Sequence, residues 1–131
     1  MDHLDKAGIL RFSFPMLFSA VMLIASGMMA SVVAELTARG ILGPNGGAGI
    51  RIASTMQSKS AWKIGHRAAR PWLHAGSAAL VSSGALTIAV VTPIVDAVLP
   101  IGMALALCLL IVSAVVADRA VRRSEATTRD D

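Results

Sequence analysis

Cysteine occurs once in the 131 residues, at Cys108 inside an apolar run, so no internal disulfide can form and a Cys-x-x-Cys metal or redox site is excluded. Aromatic residues reach only 4%, and the excess apolarity comes instead from long blocks of Ala, Val, Leu, Ile and Met, a poor basis for a soluble core. Charge is missing altogether from Phe14 to Ala34, and acidic residues are missing from Pro44 to Trp72. No ionisable group falls in the middle of any apolar block, which argues against a proton relay or an ion pathway.

What is present is 55% apolar residues and a net charge of +4. The basic residues flank the apolar blocks, a pattern of membrane topology and anionic headgroups and not of nucleic acid. The length is that of one domain. The expected fold class is an all-α integral membrane protein, with three transmembrane helices and a basic, partly helical loop between the first and the second.

In chain order, residues 1–13 form a mixed-charge tail with Asp2, Asp5, Lys6 and Arg11. The first span covers 14–36, and its 21 uncharged positions from Phe14 to Ala34 make a helix of roughly 30 Å, about one hydrocarbon thickness. A signal peptide is the competing reading, with Val32-Val33-Ala34 as its cleavage site, but the apolar stretch exceeds the usual core of about 7–15 residues. Glu35 and Arg39 stand at i,i+4 spacing as an ion pair at the helix end. The loop occupies 37–71, and a second span 72–91 begins at Trp72, a residue suited to the interface, just after Pro71, which suits a first helical turn. His74, near the start of that span, is placed to reach headgroups or water. A short outer hairpin at 92–99 leads to a third span at 100–117, closed by Asp118, Arg119, Arg122 and Arg123. Within the C-terminal tail 118–131, the stretch SEATTRDD at 124–131 has no apolar content to bury and reads as disordered.

Counting Lys and Arg gives six in the loop (Arg39, Arg51, Lys59, Lys63, Arg67, Arg70), four in the C-terminal tail, two in the N-terminal tail and none in the hairpin. Ten against two predicts a multi-pass protein of the cell membrane with its N-terminus outside and its loop and C-terminus cytoplasmic. Small residues recur four apart on each span: Ser26, Ala30 and Ala34, with Gly27 and Ser31 beside them; Ala75, Ala79, Ser83 and Thr87; Gly102 and Ala106. Such stripes let helix backbones approach closely, either within this bundle or against another membrane subunit.

The loop divides in two. Gly40 to Gly49 carries five glycines and Pro44, so no regular helix crosses it, and Pro44-Asn45-Gly46 reads as a turn. Neither GxxxxGK[ST] nor GxGxxG is present, so a flexible linker is a better reading than a phosphate cradle. After Thr55, Ser58 is a candidate N-cap for a helix to Arg70. Lys59, Lys63, Arg67 and Arg70 form its basic side, and Ala61, Trp62, Gly65, Ala68, Ala69 and Trp72 its less polar side. This predicts an amphipathic helix on the inner membrane surface, contacting anionic headgroups, that bends near Pro71 into the second span. Catalysis finds no support: His66 has no carboxylate to orient it, and His66 and His74 lack partners at zinc-ligand spacing. No cofactor and no metal is expected.

Asn45, Gly49-Ile50-Arg51, Thr55, Ser58 and Trp62, with Asn45 six residues before Arg51 and Thr55, Ser58 and Trp62 four, seven and eleven after it, resemble the signature loop of SdpI-type membrane immunity proteins. Arg67 falls at a polar position that follows the tryptophan in that pattern. The likeness covers about residues 36–90. Ile52 departs from it where a threonine is usual, and Lys59 where an acidic or neutral residue is common; the best-known members are also longer. The resemblance implies a non-enzymatic multi-pass protein that protects a producing cell from a secreted toxic peptide, with a loop that captures a cytoplasmic regulator. A second reading from the small-residue stripes is an accessory subunit of a larger membrane complex. A third is a protein that handles lipid headgroups through Arg51 and the basic stripe.

Overall fold

A computed structural model describes residues 14–89 and 95–129. Its elements are α1 (Phe14–Arg39), the single turn α2 (Ala53–Met56), α3 (Lys59–Ala89) and α4 (Val95–Arg129), with no strand among the described residues. The expectations for the tail 1–13, for 90–94 and for the last two residues lie outside the described part.

The uncharged run from Phe14 becomes α1, with Pro15 in the first turn, where a missing N–H costs no intrahelical bond. The helix stops at Gly40, whose φ of 76° is open to glycine at little cost. There the Gly40 amide donates to Thr37 C=O and the Ile41 amide to Leu36 C=O, both at 3.0 Å, the bonding pattern of a Schellman cap. The expected surface helix and second span are one element: α3 runs 31 residues with Pro71 inside it. Its less polar side, expected to lie in the interface, is instead packed within the protein, with Ala61, Trp62, Gly65 and Ala69 buried. Packing on that side keeps the helix going past the bond that Pro71 cannot make.

α4 corrects two further expectations. Residues 95–99 of the predicted hairpin are helical, and the helix continues through Arg129 where a disordered tail was expected. No Gly or Pro follows Gly102 to break it, Asp118 accepts from Arg122 one turn on at 2.8 Å, and the Ser124, Thr127 and Thr128 hydroxyls donate to backbone carbonyls of the preceding turn.

α3 stands between α1 and α4 and packs along both. Glycines set those approaches. A Cβ on Gly84 would lie 2.6 Å from Ala20 O, and one on Gly27 2.7 Å from Ser77 O. Gly102 sits directly against the Ser83 side chain. The buried set on α1 is Ala20, Gly27, Ala34, Thr37 and Ala38, while of the predicted stripe Ser26 is exposed and Ala30 lines an open depression beside Gly76 and Ser77 of α3. On α3 the buried small residues are Gly76, Ser77, Ser83, Gly84 and Thr87, and Ala75 is exposed. The hydroxyls of Ser77, Ser83 and Thr87 donate to carbonyls four residues back, so small polar side chains are buried here without an unmet donor. Among the described residues, two helices are long and apolar enough to cross a membrane, Phe14–Arg39 and, within α4, Ala97–Thr128. α3, with its basic first half and its glycines and hydroxyls, does not reach that level of apolarity.

Gly84→Val should force α1 away from α3 and cost about 1–3 kcal/mol as an overpacking change. Ala75→Val on the exposed face should leave stability unchanged. Thermal unfolding in detergent micelles compares the two.

Candidate functional site

The 40–58 segment is irregular, and its inward-facing backbone groups find their partners on α3. Leu42 C=O accepts the Trp62 indole N–H at 2.8 Å, and Trp62 is only 1% exposed. Asn45 organises the glycine-rich turn: its Oδ1 accepts the amides of Gly47 and Ala48 at 2.8 Å, and its Nδ2 donates to Gly43 C=O at 2.9 Å. Gly49, at φ 97°, lies flat on the Trp62 and His66 rings; a Cβ there would come within 2.8 Å of the indole and 2.7 Å of His66 Nε2. The Ile50 amide then donates to His66 Nε2 at 2.8 Å.

Thr55 closes the next turn. Its hydroxyl donates to Ile50 C=O at 2.6 Å and accepts the Ile52 amide at 3.3 Å, and its methyl fills the space that Gly65 leaves open. Ser58 is the N-cap of α3, its Oγ accepting the Ala61 amide at 3.0 Å. Ile52, the departure from the family threonine, packs with Leu73 and Ala114 against the buried cluster of Ile50, Ala69 and Ala117. An apolar side chain suits that place.

His66 is fully buried and stacks on Trp62 with ring centroids 4.1 Å apart. Its ring state follows from its partners. An amide can only donate and a carbonyl can only accept, so Nε2 is the bare nitrogen facing Ile50 and Nδ1–H donates to Trp62 C=O at 2.8 Å. Burial pushes the His66 pKa below its ordinary value of 6.5, with the bond to Trp62 C=O opposing more weakly. A proton on Nε2 would also set two N–H groups against each other.

The basic residues divide by whether an acid holds them. Glu35 pairs with Arg39 at 2.6 Å, as the spacing indicated, and also with Arg70 of α3 at 2.9 Å. His74 Nε2 lies 3.3 Å from the same carboxylate and its Nδ1 2.9 Å from Ser31 Oγ, so His74 bridges α1 and α3. Arg70, expected at headgroups, is thus tied to α1. Lys59, Lys63 and Arg67 are exposed on α3, the Lys63 stem lying over Gly40. Arg51 is exposed too, and its guanidinium donates back to Gly46 C=O.

The structure therefore brings Asn45, Gly49, Ile50, Thr55, Ser58 and Trp62 together as the internal frame of the loop, and leaves Arg51, Lys59, Lys63 and Arg67 as its outward chemistry. Sequence reasoning missed His66 as the centre of that frame. Its position one turn after Trp62, on the same less polar side, was the available signal.

His66 gives the loop an acid limit. Because its folded pKa is depressed, the unfolded chain binds more protons below about pH 6.5, and stability should fall as pH drops through that window. His66→Gln should flatten the fall below about pH 6.5, read as melting temperature against pH.

No curated protein and no solved structure matches the chain. The model of the SdpI/YfhL protein family matches residues 41–117, from the start of the loop through the packed part of α4. That stretch holds every residue of the internal frame just described and more than half of the chain, and the protein belongs to the SdpI/YfhL family.

Proposed function

We propose that this protein is an SdpI-like multi-pass membrane protein that serves as an immunity or signalling factor against a secreted toxic peptide. In this reading α1, the Trp72–Ala89 part of α3 and the apolar part of α4 cross the bilayer, and the loop and C-terminus face the cytoplasm. The single observation that carries the reading is the division of labour in the family's matched region. Of the signature residues, Ile50, Thr55 and Trp62 are buried and Asn45, Gly49 and Ser58 fix the turns around them, so Arg51, Lys59, Lys63 and Arg67 are held outward on a firm base. A preformed basic surface of this kind suits an acidic cytoplasmic regulator, and between encounters it suits anionic headgroups. The protein acts by binding and not by catalysis.

A second reading is favoured by one feature. The outward face of α3 carries exposed Ala75, Ala78, Ser82 and Ala85, a smooth surface on which a further helix could seat closely, as in an accessory subunit of a larger membrane complex.

Deleting the gene should sensitise cells to peptides secreted by the same or neighbouring strains, or alter transcription of adjacent genes; unchanged survival and transcription would remove the immunity reading. Lys59→Ala, Lys63→Ala and Arg67→Ala combined should abolish the response while leaving protein level and melting temperature unchanged, since all three side chains are exposed. Recovery of a stoichiometric membrane partner in mild detergent would favour the accessory-subunit reading. Reporter fusions at the loop and the C-terminus test the topology.

A further inference from the structure

We infer that the depression between α3 and α4 at Arg119 and Arg123 is a binding site for the headgroup of an anionic phospholipid. The inference rests on the reading that both helices cross the bilayer. The depression has a volume of about 260 Å³ and is lined by Ala68 of α3 and by Val116, Arg119, Ala120 and Arg123 of α4.

Three observations converge on this place. First, its charge is uncompensated. Arg119 and Arg123 are one turn apart and exposed, and among the described residues no carboxylate pairs with either. Asp118 holds Arg122 instead, at 2.8 Å, and Glu125 lines a different depression with Ser58 and Thr128. Second, its floor is small. Ala68 and Ala120 leave room between two guanidinium forks, and such forks match the oxygens of a phosphate. Third, its level is that of headgroups. The apolar run of α4 ends at Ala117, and Trp72, 41% exposed, lies one turn from Ala68 on α3. Further along, the exposed Ala75, Ala78, Ser82 and Ala85 offer acyl chains a face without large side chains in the way.

A lipid phosphate held here would tie the ends of α3 and α4 to the same molecule, beside the loop but apart from its basic face. The arginines and Ala120 lie beyond the family's matched residues 41–117.

The test is native mass spectrometry of the full-length protein from micelles doped with equal phosphatidylglycerol and phosphatidylcholine. Phosphatidylglycerol should be retained preferentially, and Arg119→Gln with Arg123→Gln should lower that preference by about tenfold or more, at roughly fivefold per arginine. Arg122→Gln, at a guanidinium already held by Asp118 and outside the lining, should leave it intact. Equal retention of the two lipids, an unchanged preference in the Arg119/Arg123 variant, or loss of the preference only in the Arg122 variant would overturn the site. Loss of the preference on adding inorganic phosphate would overturn it in favour of a free-anion site. Alkaline carbonate extraction separates the two failures: release of the wild-type protein from membranes would remove the membrane reading itself, whereas retention with equal lipid binding would remove only the headgroup site.

Discussion

An irregular backbone can be packed beside a helix bundle only if its amides and carbonyls are met, and here α3 meets them. The bond from the Ile50 amide to His66 Nε2 and the bond from the Trp62 indole to Leu42 C=O fix the two ends of the glycine-rich turn to one helical turn of α3. Between those points the chain must pass over two stacked rings, which only Gly49 allows. Each buried partner in this set is polar on one side and apolar on the other, so removing one leaves an unmet group of order 1–3 kcal/mol as well as a hole. Asn45, Thr55 and Ser58 then need only satisfy local turns.

The same helix explains the bundle. α3 is flanked by α1 and α4, and both approach it where glycine replaces a side chain: Gly27 and Gly84 on one flank, Gly102 on the other. Close approach at so many points requires small residues, and small residues lower the apolarity of the helix that carries them. Over its described residues the central helix, which also carries a basic first half, falls short of the apolarity of a membrane span, while α1 and α4, with large side chains facing outward, reach it. Hydropathy reports what a helix shows to its surroundings, and α3 shows little.

That physical fact also decides what was legible in the sequence. The Glu35–Arg39 pair, the Ser58 cap and the helical phase of Trp62 with Ala61, Gly65 and Ala69 could be read directly, because each depends on neighbours within a turn. The small-residue stripes were read with the right meaning but partly the wrong members, since spacing of four does not tell Ala75 from Gly76 when both faces are small. The burial of the less polar side of α3 could not be read, because an amphipathic helix beside a membrane and one beside a second helix share a pattern. The side of α3 that carries His66 could be read from its place one turn after Trp62, but not its bond to an amide sixteen residues away.

The placement of the few acids settles which of the many bases remain available. Glu35 lies where α1 meets α3 and draws Arg39, Arg70 and His74 to one carboxylate, and Asp118 draws Arg122. Those contacts tie helices or helical turns together, and exposed pairs of this kind contribute little stability on their own. Their larger consequence is subtraction. With Arg70 and Arg122 engaged, the outward positive charge of the described residues is concentrated on two separate patches, one on the loop and the first turns of α3, the other at Arg119 and Arg123. A chain with the same net charge and its acids placed elsewhere would present one diffuse field, and two surfaces with different partners require this separation.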